Sequence, residues 1–155
     1  LSLFDEESKE KVVPRVIEPT FGMERVFLAV LCEAYDDDKK RGNIVLHLNP
    51  ALAPIKVAVL PLVNKLEDKA REVFVLLKDD LPCFYDRAGS IGRRYARMDE
   101  QGTPFCVTID FDTIEKDNSI TIRDRDSTEQ KRVKIENLRD TIRKLISCEI
   151  TFKEL

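Results

Sequence analysis

Apolar residues Met23, Val26, Phe27, Val30, Leu31 and Ala34 recur at steps of three and four, the spacing that lines one side of an α-helix. Ahead of this helix, Arg15-Val16-Ile17-Glu18 reads as a short strand closed by Pro19, whose missing N–H suits a strand end or a first helical turn. Residues 1–11 are polar and mostly charged beyond Phe4, and read as a short surface helix or a fraying end. Residues 36–43 give eight consecutive positions with no reason for burial, the pattern of an insertion-like loop. Residues 44–48 alternate weakly, and the pairs Asn49-Pro50 and Ala53-Pro54 then make a rigid connector. This places a domain boundary near Pro54, between segments 1–53 and 54–155.

Beyond the boundary the period switches repeatedly. Residues 55–62 form a β-branched apolar run suited to a strand covered on both faces. Leu66, Ala70, Val73, Leu76 and Leu77 have helical spacing, Cys83-Phe84-Tyr85 reads as a short strand, and Ser90 caps a helix running to about Gln101 with Gly102 just past its end. Residues 104–111 are the next strand. The turn Asp117-Asn118-Ser119 pairs it antiparallel with Ile120-Thr121-Ile122-Arg123, residues 131–135 extend the sheet, and Leu138, Ile142, Leu145 and Ile146 mark a last helix. Strands alternating with helices imply an open α/β sheet, parallel at first with an antiparallel edge.

Composition narrows the class. With 155 residues, 43% hydrophobic and 35% charged, the chain has material for one substantial core. No apolar run approaches the roughly 20 residues of a membrane span and no signal-like segment opens the sequence, so no membrane and a cytoplasmic setting are expected. The four cysteines, Cys32, Cys83, Cys106 and Cys148, form no CxxC pair and sit in apolar stretches, which reads as reduced, buried thiols rather than a metal site. The single histidine, His47, has no second imidazole and reads as structural or superficial. Net charge is −3, so affinity for nucleic acid would come from local clusters: Arg87, Arg93, Arg94 and Arg97, and Arg123, Arg125 and Arg132.

The densest chemistry lies in Val16-Ile17-Glu18-Pro19-Thr20-Phe21-Gly22-Met23-Glu24-Arg25. A carboxylate suits the ammonium of a free amino acid, a hydroxyl adds a contact, and a guanidinium suits both adenine stacking and phosphate oxygens. On spacing alone, Glu18 and Glu24 read equally well as solvated carboxylates and Arg25 as a surface arginine. The segment resembles motif 3 of the class II aminoacyl-tRNA synthetases, in the Glu-Pro-(Ser/Thr)-x-Gly-x-x-Arg form of their glycine-specific branch. The resemblance implies that Glu18, Pro19 and Thr20 line a glycine pocket and that Arg25 contacts ATP. That family more often carries serine where this chain has Thr20, and the added methyl would narrow the pocket.

A second resemblance covers nearly everything after Pro54. Ala53-Pro54-Ile55-Lys56-Val57-Ala58-Val59-Leu60-Pro61-Leu62, Gly89-Ser90-Ile91-Gly92-Arg93-Arg94-Tyr95, residues 102–112, and Thr121-Ile122-Arg123-Asp124-Arg125-Asp126-Ser127 are similar, in order, to blocks of the anticodon-binding domain of some class II synthetases. The resemblance implies a mixed five-stranded sheet flanked by helices, preceded by a strand-helix remnant of a catalytic domain. Arg123 and Arg125, alternating with Asp124 and Asp126, are the first choice for anticodon contact, since single-stranded loops are read by hydrogen bonds to base edges and by stacking. The same run also reads as exposed mutual ion pairs. Arg93, Arg94 and Arg97 are candidates for the tRNA backbone. The Gly89–Arg94 stretch lacks the Lys-Ser/Thr ending of a P-loop and reads as a turn and helix cap.

The function so implied is ligation of glycine to its tRNA, with ATP and Mg²⁺ as substrate, no protein-bound metal, and a homodimeric parent whose earlier motifs complete the site. The 155-residue chain alone is expected not to activate glycine. The sequence also admits two rivals: a non-catalytic tRNA- or RNA-binding accessory protein built on an anticodon-binding domain, and a doubly wound domain for a small nucleotide.

Overall fold

The computed structural model describes residues 2–155; Leu1, the start of the predicted first segment, lies outside them. Residues 3–12 are neither a helix nor a frayed end. They form a small antiparallel hairpin of β1 (Leu3–Phe4) and β2 (Lys11–Val12). The predicted strand at 15–18 is absent: this stretch has no regular structure, and Ile17 is 94% exposed. A strand needs a ladder partner for its backbone N–H and C=O groups, and none of the described residues supplies one.

Helix α1 (Met23–Ala34) forms where the apolar spacing predicts, starting with Val26 N–H donating to Gly22 C=O at 3.1 Å. Its face toward Leu46 and Leu48 is covered, with Ala34, Leu48 and Ala53 making a small buried cluster against Val30 and Leu46. Met23 and Phe27 continue the same stripe along an open groove with Leu46, Leu48 and Leu52 and remain exposed, as does Leu28. The predicted loop at 36–43 is half wrong. Tyr35–Asp38 is strand β3, paired antiparallel with β4 (Asn43–Leu46), so only residues 39–42 turn. Three successive aspartates hold a strand here because β4 supplies the ladder and Val45 is fully buried beneath it. Backbone pairing decides the matter, not side-chain polarity.

The remaining chain builds one five-stranded sheet in the order β6-β5-β7-β8-β9, from β5 (Val57–Pro61), β6 (Cys83–Tyr85), β7 (Phe105–Ile109), β8 (Ser119–Asp124) and β9 (Gln130–Lys134). The pairs β5/β6 and β5/β7 are parallel, whereas β7/β8 and β8/β9 are antiparallel. This is the mixed sheet with an antiparallel edge that the alternation of periods predicts. Helices α2 (Glu67–Lys78), α3 (Ile91–Glu100) and α4 (Ile135–Ile146) flank it. Ser90 caps α3 by accepting from Arg93 N–H, and Gly102 closes the following turn at φ +72°, a conformation that favours glycine.

Register sorts the sheet into two unlike faces, because residues directly opposite share a face and successive residues alternate. One face carries Val57, Val59, Val107, Ile109, Ile120 and Ile122, all fully buried under Val73 and Leu77 of α2 and Leu138 and Ile142 of α4. Each such aliphatic side chain contributes about 1.5–3 kcal/mol relative to exposure. The other face is apolar only in part: Ala58, Leu60 and Cys106 lie under Met98, Ile91 and Tyr95 of α3. Beyond them the same face turns polar.

The thiols follow this layout rather than uniform burial. Cys106 is buried in the sheet and Cys83 partly so, while Cys32 and Cys148 are exposed. Burial pushes the Cys83 and Cys106 thiols up to about 12. A folded value above the unfolded one means that their contribution to stability is complete below about pH 9 and is lost as pH rises toward 12. Titration of the native protein with a thiol reagent at pH 8 is therefore expected to modify Cys32 and Cys148 readily and Cys106 only on unfolding.

Candidate nucleic-acid interface

The polar half of the second sheet face is built by alternation. Thr108 lies opposite Thr121, Thr121 opposite Arg132, and Ser119 opposite Lys134, while Ile120, Ile122 and Val133 turn into the core between them. Gln130, Arg132 and Lys134 remain open to solvent. At the end of β7, Asp110 organises this surface. It accepts from Arg132 Nη1 at 2.7 Å, Thr121 Oγ1 at 3.3 Å, and Thr113 N and Oγ1 at 2.9 Å each. Arg132 Nη2 also donates to Ser119 C=O at 3.0 Å. Burial raises the Asp110 pKa, but donation from Thr113 and Arg132 outweighs it and holds the carboxyl below its ordinary range. On the α3 side, Tyr95 Oη and Thr108 Oγ1 are 2.6 Å apart.

The surface thus offers donors and acceptors with set positions and a cationic fringe, the chemistry that suits the edges and phosphates of an unpaired nucleic-acid loop. Asp110, Thr108, Thr121 and Tyr95 are not singled out by reading the sequence, although Ser119-Ile120-Thr121-Ile122-Arg123 carries the strict alternation that separates this face from the core.

The predicted arginines are placed differently. Arg123 and Arg125 do not project from an exposed run. Arg123 is 7% exposed, donates Nη1 and Nη2 to Asp99 at 2.8 and 3.0 Å, and lies 4.8 Å from the centre of the Tyr95 ring. Arg125 is 1% exposed and is bound to Gly102 C=O, Leu48 C=O and the Asp126 carboxylate. Guanidiniums engaged in this way hold the fold and have few donors left for a base. Asp124 caps its own turn, accepting from Ser127 N and Oγ at 2.8 and 2.7 Å, and only Asp126 keeps an exposed edge, shared with His47. Within the run only Arg125 and Asp126 pair with each other, and there the guanidinium is buried.

The α3 arginines divide too. Arg94 is buried, with Nη1 and Nη2 donating to the carbonyls of Pro61 and Leu62, which removes it from any outer contact. Arg97 is tied to Asp86 and Ala88 C=O. Arg93 is exposed at the start of α3, and its side chain has no hydrogen-bond or ion-pair partner among the described residues.

Residues 56–145 match the family model described as the anticodon binding domain. The chain belongs to that family. The match begins just ahead of β5 and ends within α4, so the anticodon-binding domain is the five-stranded sheet with its three helices. Over a wider span, the chain is 52% identical over 151 residues to a glycine–tRNA ligase of Clostridium perfringens, covering 93% of this chain and 32% of that protein. It is 54% identical over 141 residues to glycine–tRNA ligases of Ruminiclostridium cellulolyticum and Malacoplasma penetrans, covering 89% of this chain and 30% of each. The chain spans about a third of the length of these curated relatives.

Outside the anticodon-binding domain, Glu18, Pro19, Thr20 and Arg25 all lie on the surface, in the irregular segment that enters α1 and in its first turn. The side chains of Glu18, Thr20 and Arg25 have no hydrogen-bond or ion-pair partner among the described residues. Arg25 folds back along Gly22, where an added Cβ would lie 3.7 Å from Arg25 Cδ in ordinary contact. The glycine at 22 is therefore not required by space inside this chain. No group of three or more potential metal ligands occurs among the described residues, and no helix among them is long and apolar enough to cross a membrane.

Proposed function

We propose that this chain forms the tRNA-reading end of a glycine–tRNA ligase, an enzyme that attaches glycine to its tRNA at the expense of ATP. One observation carries the reading: identity of about half runs over roughly nine-tenths of this chain in proteins of that name, well beyond the span of the anticodon-binding domain. In this reading the polar sheet face around Asp110, Thr121 and Arg132 meets the anticodon loop, and Arg93 meets a phosphate. Arg123, Arg125, Asp124 and Asp126 shape that surface from beneath rather than contacting bases. The parent enzyme is cytoplasmic and homodimeric.

Glu18, Pro19 and Thr20 form one wall of the glycine pocket, with the Glu18 carboxylate receiving the ammonium group. Arg25 contacts ATP, which would enter as substrate with its Mg²⁺ and supply the adenylyl group that activates the glycine carboxylate, with pyrophosphate leaving. The open, unpaired state of Glu18, Thr20 and Arg25 fits ligand groups that take their hydrogen bonds from the substrate. The outward apolar residues of α1 support a body of further chain packed over it, since helices apolar on most sides are usually buried. Relatives three times as long would supply that body.

The test is binding of the 155-residue chain to the anticodon stem-loop of glycine tRNA. Binding is expected, with affinity falling as salt rises and lost when the two anticodon cytosines are changed. Arg132→Ala should cost about 1–3 kcal/mol and relax base preference, whereas Arg93→Ala should weaken all stem-loops alike and lower the salt slope by about 1. Equal affinity for unrelated stem-loops would remove the reading. The chain alone is expected to give no glycine-dependent pyrophosphate exchange.

A further inference from the structure

Arg125 joins three segments that are far apart in sequence. Its Nη1 donates to Gly102 C=O at 2.8 Å in the turn after α3, and its Nη2 donates to Leu48 C=O at 2.9 Å in the connector after β4. Nε and Nη2 also bind the two oxygens of Asp126 at 2.8 and 2.9 Å. From the opposite side, Arg41 in the β3–β4 turn donates Nη1 to Arg125 C=O at 2.7 Å and Nη2 to Asp126 C=O at 2.6 Å, while its Nε lies 2.9 Å from Asp38. His47 closes the set, with Nδ1 at 2.7 Å from Asp126 and Nε2 at 3.4 Å from Asp36. Between these polar ties, Leu48 packs so tightly on Gly102 that an added Cβ would lie 2.7 Å from Leu48 Cδ1.

The hairpin held in this way is itself fixed to α1. His47 N–H donates to Ala34 C=O at 2.7 Å at the end of the helix, and Ala34, Leu48 and Ala53 share one buried cluster. The first turn of α1 carries Arg25, and Glu18 and Thr20 lead into it. From the other end, Arg125 directly follows β8, whose Thr121 belongs to the polar sheet face. An unbroken series of hydrogen bonds and close packing therefore runs from that face to the entry of α1.

We infer that Arg41 and Arg125 are positioning residues that fix the α1 entry relative to the RNA-reading face, so that a tRNA held by its anticodon is presented in one orientation to the chemistry at α1. The inference rests on the function proposed above. Two guanidiniums suit the task because each is planar and bonds to several groups at once, which sets an orientation as well as a distance. Arg41 is the residue to test: it lies at the rim, and neither the polar face nor the Glu18–Arg25 segment includes it.

The experiment uses the full-length enzyme that carries this chain and compares Arg41→Ala with wild type in three assays. These are glycine-dependent pyrophosphate exchange, charging of whole glycine tRNA, and charging of an acceptor-stem minihelix that lacks an anticodon. Exchange and minihelix charging should stay within about twofold, while kcat/KM for whole tRNA falls about 3- to 30-fold, the range of coupling through a packed network. In the 155-residue chain the same substitution should leave affinity for the anticodon stem-loop within twofold. Arg41→Lys, which keeps the charge but not the planar fork, should recover only part of the loss. Equal decreases in all three assays, or no decrease with whole tRNA, would overturn the inference. Wild-type enzyme without glycine-dependent exchange would instead remove the function on which it rests, and the inference with it.

Discussion

Asp99→Ala is expected to destabilise the protein by about 3–5 kcal/mol, measured from the shift in denaturant midpoint at neutral pH. Asp99 is 2% exposed and binds both terminal nitrogens of Arg123, with Arg41 Nη1 a further 3.7 Å away. Removing the carboxylate leaves a buried guanidinium with no counter-charge, over the Tyr95 ring and against Cys106. The cost comes from that stranded charge more than from the lost bonds, because the ion pair itself must first overcome the desolvation of both groups. The double replacement Asp99→Leu with Arg123→Met should therefore recover most of the loss. A double variant as unstable as the single one would show that the pair contributes its full strength. As a surface control, breaking the Lys69–Glu72 pair should change stability by less than about 1 kcal/mol.

Gly102→Ala is expected to cost about 2–5 kcal/mol, from two separable sources. At φ +72° an L-residue pays about 1–2 kcal/mol for the left-handed backbone. The new methyl would also stand 2.7 Å from Leu48 Cδ1, 3.0 Å from Leu48 Cγ and 3.2 Å from the Leu46 carbonyl oxygen, an overpacking worth about 1–3 kcal/mol more. Leu48 and Leu46 belong to the hairpin side of the contact, so the clash pushes the hairpin away from the sheet and lengthens the Arg125 bonds to Gly102 and Leu48. The two sources separate in a double-mutant cycle: with Leu48→Ala in place, Gly102→Ala should cost little more than the backbone portion, the contact with the Leu46 carbonyl alone remaining. If the cost is the same in both backgrounds, close packing at this contact is not what holds the hairpin.

These two sites show where sequence reading succeeds and where it stops. Glycine at 102 is legible as a helix terminator because the apolar spacing of α3 ends there and a left-handed residue is a local need. That the same glycine must also admit Leu48, more than fifty positions earlier, is a property of packing. The arginine run 123–126 is legible as chemically dense. Its burial is not, since the partner of Arg123 lies 24 positions away on another element and that of Arg125 in the connector 77 positions away. An alternating run of opposite charges looks the same in sequence whether it is solvated or paired inward.

The irregular stretch at 15–18 and the strand at 35–38 err in opposite directions for one reason. Strand formation requires a neighbour, and a β-branched segment without one stays open while an aspartate-rich segment with one does not. Local devices are legible because they need no distant partner: the Ser90 cap, the turn before β8 and the helical stripe of α4 all appear where the residues imply.

By itself, the sequence determined the order of helices and strands in the anticodon-binding domain, its mixed sheet, and the family to which its ordered blocks point. Periodicity, caps and turns act over a few residues, and each survives whatever the rest of the chain does. Tertiary structure alone decided which arginines face solvent, which half of the sheet stays polar, and that the hairpin after α1 is fastened to the turn after β8. Those outcomes depend on register and on partners brought together from distant positions, where burial of a charge is favourable only beside the particular group that satisfies it.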